Sequence, residues 1–204
     1  EEYAALARVY SGRADGTIPY PCVIPRYDWA EHLADFGLER GYAVLAAGAA
    51  YGPAKVWPYA RFIELAARLR EQRGLRIVTV GSGGEWEYLD MIAGADEDAL
   101  NLAGRTDLSG LMSVLRGADL VVGNDSGPVH VSAAMGVPTV SIFGSTSPLW
   151  TSPRGPRSRV VASRADCAPC FRKKCPEGDT HCLRDITVDE VFGAAIEMMR
   201  GNKP

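Results

Sequence analysis

From residue 42 onward, two hydrophobic patterns alternate along the chain. Short runs of consecutive apolar residues, such as residues 42–49, lack the period-two alternation of a half-exposed strand. Amphipathic segments follow these runs, and in residues 57–74 the side chains of Phe62, Ala66 and Leu69 share one helical face. Strands buried on both faces, alternating with helices, are typical of a parallel sheet covered on both sides. We therefore predict an α/β fold with a Rossmann-like parallel sheet.

The same patterns and the capping residues set the predicted boundaries. We expect strands over residues 42–49, 75–81, 101–104, 119–124, 138–144 and 158–163. We expect helices from residue 28 to near Gly37 or Gly41, and over residues 57–74, 84–94, 107–118, 126–136 and 187–201. Asp28 and Asp107 are candidate N-caps, Gly74 suits a helix end, and Thr187 with Glu190 forms a capping box.

The first part of the chain differs from the rest. Residues 1–41 begin with a short amphipathic helical pattern and continue with a stretch rich in Gly and Pro, which indicates a connector. Residues 42–204 are interpreted as one domain that carries a Cys-rich loop over residues 163–186 and ends in the closing helix.

Composition excludes several classes of function. A net charge of -3 and a pI of 5.7 argue against general nucleic-acid binding. No apolar stretch approaches the ~20 residues that a spanning helix needs. The first residues are acidic and amphipathic, unlike a secretory signal, and there is no initiator Met. We expect a cytoplasmic protein and a chain that begins inside a longer one.

Gly and small polar residues follow the predicted strands. They include Gly52 in the loop after the first strand, Ser82 after the second, Thr106 after the third and Ser126 after the fourth. Because ligands of open parallel sheets bind beyond the carboxyl ends of the strands, we expect these residues to share one binding edge.

The motif NDSGPVH after the fourth strand combines several features of an anion site. Asp125 or Ser126 caps the next helix, Pro128 suits its first turn, and Gly127 allows a ligand to approach the backbone. The free N–H groups of that turn and the nearby imidazole of His130 suit a diphosphate. An ordinary strand-to-helix turn with a helical His explains the same residues, and the motif alone does not decide between the two.

Two charged residues on the same edge add to the anion hypothesis. Lys55 lies in a Gly/Pro loop and offers a point charge to a phosphate, and Glu85 offers two oxygens to ribose hydroxyls. A solvated lysine and a helix N-terminal charge are the ordinary alternatives. The sequence GSGGEW departs from G-x-G-x-x-G, which argues against NAD or FAD, and DED at residues 96–98 is interpreted as a solvated loop.

Taken in order, several segments resemble glycosyltransferase family 9, the ADP-heptose:lipopolysaccharide heptosyltransferases, and most closely their type II members. The segments are GPAKVWP, GSGGE, NLAG, NDSGPVHVSAAMGVPTVSIFG, TSP and ITVDEV. The resemblance implies the C-terminal, donor-binding half of a GT-B enzyme, in which two Rossmann-like domains face each other across a cleft. It implies that the half with the acceptor site and the Asp general base is absent here, so we expect no transferase activity from this chain alone.

The resemblance also implies a set of donor-binding residues. These are Tyr51, Gly52, Lys55, Ser82, Glu85, Thr106, Asp125, Ser126, Gly127 and His130. Among them Lys55 matches a phosphate-contacting Lys and, with His130, is implied in catalysis. Tyr51 stands where type I members have a small hydroxyl residue, which favours backbone donors at that position.

Partners and cofactors are implied in the same way. The implied ligands are ADP-heptose or a similar nucleotide sugar and, through the other half, a lipopolysaccharide core acceptor. The family transfers the sugar with inversion and without a bound metal. The resemblance further implies a cytoplasmic location, with peripheral contact to the inner membrane of a Gram-negative bacterium.

Four of the five cysteines lie close together in the sequence CAPCFRKKCPEGDTHC. They are Cys167, Cys170, Cys175 and Cys182, and His181 precedes the last one. This spacing allows a tetrahedral structural zinc site without matching a zinc ribbon. Disulfide pairs formed after isolation and reduced thiols are the other two states left open.

Three functions therefore compete at this point. The first is the donor domain of an ADP-heptose-type glycosyltransferase, and the second is a noncatalytic nucleotide or sugar-nucleotide binding module. The third is a metal-stabilised interaction domain in which the polar edge of the sheet has no ligand.

Overall fold

The computed structural model describes Cys22, residues 28–94 and residues 97–200. Within these ranges, six strands form one sheet: β1 (Tyr42–Ala46), β2 (Arg76–Thr79), β3 (Leu100–Asn101), β4 (Leu120–Asn124), β5 (Thr139–Phe143) and β6 (Ser158–Ala162). All pairs are parallel and the order is β3-β2-β1-β4-β5-β6. The predicted Rossmann-like α/β fold is confirmed.

Helices connect the strands. Those in the described ranges are α1 (Trp29–Ala34), α2 (Tyr59–Arg73), α3 (Trp86–Ala93), α4 (Leu108–Gly117), α5 (Gly127–Ala134), α6 (Pro148–Thr151), α7 (His181–Arg184) and α8 (Val188–Arg200). Single 3-10 turns at Pro53–Lys55 and Gly83–Glu85 lie in the loops after β1 and β2.

The sheet has a hydrophobic core on each face, which explains the unbroken apolar runs. Along β1, Ala43 and Leu45 point into the core under α2, α3 and α8, whereas Tyr42 and Val44 point into the core under α1, α4 and α5. Every residue of β1, β4 and β5 is buried. Because both faces are apolar, the sequence pattern shows no alternation.

Most predicted boundaries are close to those observed, and the differences have local causes. The strand predicted at residues 101–104 is only Leu100–Asn101, because the Asn101 side chain accepts a hydrogen bond from the Ala103 N–H and the chain turns there. The region after β5, expected to be irregular apart from one strand, also contains α6 and α7. Helices of a single turn are too short to show a hydrophobic period.

The early part of the chain is described only from Asp28 onward, apart from Cys22. The short helix predicted at the start of the chain lies outside the described residues, as does Asp96 of the DED segment. Helix α1 packs against α4, and Leu33 and Leu38 are buried in the core beneath them. The domain boundary at residue 41 stays a prediction.

The caps predicted at Asp28, Asp107 and Gly74 are confirmed. Asp28 and Asp107 accept hydrogen bonds from the backbone N–H groups of Ala30 and Gly110. Gly74 adopts the left-handed conformation, with φ of 65°, at the end of α2. In the described part of the chain, no helix combines the length and the apolar character needed to cross a bilayer.

Replacement of Thr187 tests the capping box of α8. The Glu190 N–H donates to Thr187 Oγ1 at 3.2 Å, and the Thr187 N–H donates to Glu190 Oε2 at 2.9 Å. We expect Thr187→Ala to lower the free energy of unfolding by about 1 kcal/mol, because a helix-end N–H loses its acceptor. Guanidinium denaturation measures the change. Thr187→Ser keeps the hydroxyl and should behave like the wild type; equal stability of all three proteins would contradict the assigned cap.

Candidate functional site

The sheet topology creates a crevice between β1 and β4. These strands are neighbours, with Ala46 beside Gly123, although β2 and β3 intervene in the sequence. The strand order reverses at this point, so the chain leaves β1 and β4 towards opposite sides of the sheet. Crevices at such switch points are the usual ligand sites of open α/β sheets.

The buried side chain of Asn124 ties the two loops of the crevice together. Its Nδ2 donates to the Ala47 carbonyl at 2.6 Å, and its Oδ1 accepts from the Trp57 N–H at 3.0 Å. The amide at the end of β4 therefore holds both ends of the loop that follows β1. This connection brings Lys55, which lies within that loop, over the residue after Asn124.

That residue, Asp125, carries a buried carboxylate with three side-chain partners. Lys55 Nζ lies 2.6 Å from Oδ2, and the Thr146 hydroxyl donates to the same oxygen at 2.7 Å. Oδ1 lies 3.2 Å from His130 Nε2. The side chain of Asp125 is only 4% exposed, and that of Lys55 is 14% exposed. Residues from three loops and one helix therefore meet at one carboxylate.

These partners keep Asp125 ionised. Burial alone raises the pKa of a carboxyl group because it penalises the charged form. Hydrogen bonds to His130, Lys55 and Thr146 outweigh that penalty, and the pKa falls from 3.8 to about 2. At neutral pH the crevice therefore contains an ionised carboxylate in direct contact with Lys55 Nζ, and the partly exposed imidazole of His130 lies beside them.

The start of α5 differs from an ordinary capped helix. Ser126 occupies the N-cap position, but its side chain makes no capping hydrogen bond, and its buried Oγ has no partner within the described structure. Asp125 does not cap the helix either, because its carboxylate faces Lys55. The prediction that one of these side chains caps the helix is wrong. The first turn thus keeps its N–H groups and a serine hydroxyl for another acceptor.

An open cleft of about 630 Å³ lies over this group of residues. Lys55, Asp125, Ser126, Gly127 and His130 line one part of it. The predicted association of Lys55 with the α5 N-terminus around one cleft is confirmed as geometry.

A second cleft of about 410 Å³ continues from the first. The two share Ala50, Ser126 and Gly127 as lining residues. Apolar side chains line much of the second cleft, including those of Leu108 and Leu111. The predicted residues Ser82, Glu85 and Thr106 also line it.

Glu85 stabilises its own turn and still has an oxygen to offer. Its Oε2 accepts hydrogen bonds from the Ser82 N–H at 2.8 Å and the Ser82 hydroxyl at 2.7 Å. In the described ranges Oε1 has no hydrogen-bond donor, and a Cβ atom at Gly48 would overlap it. The helix-terminal interpretation of Glu85 is therefore correct for one oxygen, and the other remains available to a ligand.

The neighbouring residues Tyr51 and Gly52 differ in their position relative to the first cleft. Tyr51 lines the first cleft, and its hydroxyl donates to the Phe171 carbonyl at 3.0 Å. Gly52, with φ of 152°, does not line the cleft and packs against the Lys173 carbonyl, where a Cβ atom would come within 2.5 Å. Gly52 thus shapes the loop, whereas Tyr51 faces the cleft.

The cysteine cluster does not adopt a zinc-binding arrangement. Among the described residues, no three His, Cys, Asp or Glu side chains are placed to hold a metal ion. Cys167 Sγ lies 3.5 Å from His181 Nε2, Cys175 Sγ donates to the Asp179 carbonyl, and Cys182 is buried. Burial raises the pKa of Cys182, and the neighbouring thiols add to this effect. The described geometry is that of free thiols.

Sequence reasoning missed several residues at or beside the first cleft, among them Thr146, Trp150 and Arg154. Thr146 donates to Asp125, and Trp150 and Arg154 are among the residues that line the cleft. All three follow β5, which is the neighbour of β4. This position at the binding edge of the sheet is the signal by which the sequence could have indicated them. No motif distinguishes them from ordinary loop residues.

Comparison with known proteins shows which family this chain is similar to. The family model described as "Glycosyltransferase family 9 (heptosyltransferase)" matches residues 1–181. Lipopolysaccharide heptosyltransferase 2 from Escherichia coli (strain K12) is 34% identical over 207 residues, covering 94% of this chain and 59% of that protein. The counterpart from Salmonella typhimurium is 32% identical over 205 residues with the same two coverages.

A solved structure supports the same assignment. The E. coli ADP-heptose lps heptosyltransferase II structure superposes with a TM-score of 0.79 at 28% identity, covering 92% of this chain and 56% of that one. The chain thus spans under two thirds of the length of these relatives. With its parallel sheet and the family match over most of its length, the chain belongs to glycosyltransferase family 9.

Proposed function

We propose that this chain is the donor-binding part of a glycosyltransferase that transfers heptose from ADP-heptose to a lipopolysaccharide core acceptor. The observation that carries the proposal is the convergence of Lys55, Asp125, His130 and the uncapped start of α5 in one cleft that continues into a second, more apolar cleft. The names of the relatives supply the sugar and the acceptor class.

The shared part of the two clefts suits a diphosphate. Ser126 and Gly127 lie at the positive end of the α5 dipole, and Lys55 adds a full charge nearby. The absence of a Cβ atom at Gly127 lets phosphate oxygens approach the backbone. The buried Ser126 hydroxyl gains a partner when an anion binds there, which removes the cost of leaving it unpaired.

The second cleft suits the nucleoside. Leu108 and Leu111 offer apolar contacts to a base, and the free Oε1 of Glu85 can accept a ribose hydroxyl. Thr106 offers a further hydroxyl on the same wall. In this arrangement the sugar lies in the first cleft, beside Asp125 and the exposed ring of His130.

In the proposed reaction, these residues stabilise the leaving group. A hydroxyl of the acceptor attacks the anomeric carbon and forms the new C–O bond, and its proton passes to a base. The bond to the β-phosphate oxygen breaks on the opposite side, so the centre inverts and the electron pair stays on ADP. Lys55 and the α5 N–H groups neutralise that charge, and one preorganised donor of this kind is worth about 3–4 kcal/mol.

The general base and the main acceptor site are assigned to the other half of a GT-B enzyme. None of the residues proposed for donor binding is needed to accept the acceptor proton, and no metal enters the proposed step. We expect a longer protein with both halves to act at the cytoplasmic face of the inner membrane, and the 204-residue chain alone to bind the donor without turnover.

A noncatalytic sugar-nucleotide module is the alternative function. It shares the donor site and differs only in the absence of transfer. Incubation of the longer protein with ADP-heptose and a lipopolysaccharide core acceptor separates the two. Release of ADP with formation of the heptosylated product supports the transferase, whereas tight donor binding without product supports the module.

Replacement of Lys55 tests the diphosphate site. We expect Lys55→Ala to raise the Kd for ADP about 10- to 100-fold, because a charge-assisted contact to phosphate is lost. Calorimetric titration measures the effect, and circular dichroism checks that the variant is folded. Arg73→Gln, at the exposed end of α2, is the matched control and should bind ADP like the wild type. If folded Lys55→Ala binds ADP with unchanged affinity, Lys55 is not part of the site. If the wild type does not bind ADP at millimolar concentration, the proposed donor site itself is wrong.

The ionisation of Asp125 predicts a specific dependence of stability on pH. Because its folded pKa of about 2 lies below the ordinary 3.8, the carboxylate stabilises the fold above pH ~4 and loses that effect as the pH falls through the folded pKa. We expect the stability difference between wild type and Asp125→Asn to shrink by about 2 kcal/mol from pH 5 towards pH 2. Urea denaturation at a series of pH values measures it, and other carboxylates cancel because both proteins contain them. A difference that stays constant with pH would show that Asp125 is not held ionised by its partners.

A further inference from the structure

A group of exposed aromatic and basic side chains borders the first cleft on the side away from the nucleoside. Trp150 is 77% exposed, and its ring stacks on that of Phe171 with a centroid distance of 5.0 Å. Arg154 lines the cleft beside Trp150, and Lys173 lies 5.5 Å from the ring centre of Tyr51 on the same mouth. We call Trp150, Phe171, Arg154 and Lys173 the aromatic–basic rim.

The rim is held in a defined position although its side chains face solvent. The Phe171 N–H donates to the Ser145 carbonyl at 2.6 Å, and the Lys173 carbonyl accepts the Ala54 N–H at 3.1 Å. These contacts attach the Cys-rich loop to the loops after β5 and β1. A surface that is fixed before its ligand arrives loses little conformational entropy on binding.

The charges of the rim have no carboxylate partners in the described part of the chain. Within the described residues, neither Arg154 nor Lys173 makes an ion pair with a carboxylate, and the neighbouring Arg172 and Lys174 are equally unpaired and exposed. The whole chain has a net charge of -3, so this is a local concentration of positive charge. Unpaired cations beside exposed aromatic rings favour an anionic ligand with flat, partly apolar faces.

The rim does not border the second cleft. Trp150 and Arg154 line only the first, whereas Ser126 and Gly127 line both. If the diphosphate lies at Ser126 and Gly127 and the nucleoside in the second cleft, the rim faces the opposite end of the bound donor. The acceptor has to approach from that end, because the attacking hydroxyl comes from the side opposite to the leaving phosphate.

We infer that the aromatic–basic rim binds the anionic saccharide of the acceptor. Trp150 stacks against the apolar face of a sugar ring, and Arg154 and Lys173 pair with its carboxylate or phosphate groups. The inference rests on the proposed function, since it needs the donor in the neighbouring cleft. It adds to that function a part of the acceptor site contributed by the donor-binding half.

Titration with a soluble anionic saccharide tests this inference. The probe is deacylated lipopolysaccharide core oligosaccharide, which retains acidic groups and lacks acyl chains, and calorimetry measures its binding to the chain in the presence of ADP. We expect Arg154→Gln to weaken binding of the oligosaccharide about tenfold, because a contact between two charged groups is lost. We expect Trp150→Leu to weaken it about fivefold, because the leucine cannot stack. Both should leave the Kd for ADP within about twofold of the wild type, because Trp150 and Arg154 line only the first cleft and not the second, where the nucleoside is proposed to bind.

Two matched controls and two further ligands make the outcomes distinct. Tyr88→Leu removes the exposed ring of another stacked pair, Tyr59 and Tyr88, and Arg73→Gln removes an exposed arginine elsewhere; both should bind the oligosaccharide normally. A neutral maltooligosaccharide should bind much more weakly than the acidic probe. Vesicles of anionic phospholipid without saccharide should not compete with it.

Each failure has its own meaning. No binding of the oligosaccharide by the wild type, or equal binding by Arg154→Gln and Trp150→Leu, would overturn the inference while ADP binding leaves the proposed function intact. A parallel loss of ADP affinity in these variants would assign the rim to the donor site instead. Equally tight binding to the vesicles would identify the rim as a lipid-binding surface.

Discussion

The buried carboxylate of Asp125 is the constraint on which the rest of the crevice depends. An ionised carboxylate at 4% exposure is stable only if its partners replace the water it has lost. Lys55, Thr146 and His130 supply that replacement from separate segments of the chain. Because each partner must reach the same group, the loops after β1 and β5 and the first turns of α5 have little freedom to move apart. The crevice is therefore shaped before any ligand enters it.

The order of the strands makes this convergence possible. Lys55 and Asp125 are 70 residues apart in sequence, and they meet because β1 and β4 are neighbours. Asn124 then sets the finer position, since its side-chain amide bonds to backbone groups at both ends of the loop that contains Lys55. A sheet edge alone would bring the two residues to the same side of the molecule, and the amide brings them into contact.

The sequence predicted the parts of the site that follow from topology and missed those that depend on packing. Lys55, Asp125 and His130 were predicted because a motif at a strand end, in a parallel sheet, has a known place. Thr146 was missed because its role comes from the proximity of β5 to β4, and one threonine in a polar loop has no signal of its own. The capping role of Ser126 was predicted wrongly for a related reason: local spacing fits a cap, but the geometry leaves its hydroxyl unpaired. The spacing of the cysteines likewise indicated residue types that can bind zinc, but it did not determine how their side chains are arranged.

The Cys-rich loop has a structural role beside the first cleft that does not depend on the state of its thiols. Its Phe171 and Lys173 carbonyl oxygens accept hydrogen bonds from Tyr51 and Ala54, the residues on either side of Gly52 and Pro53. Gly52 is required at this contact, because any side chain there would collide with the Lys173 carbonyl and the φ of 152° is unfavourable for other residues. The loop thus supports the segment that carries Lys55 from outside, while Asn124 supports it from within. A change that weakens the attachment of the Cys-rich loop should therefore first alter the position of Lys55, because the backbone of the loop after β1 connects the two.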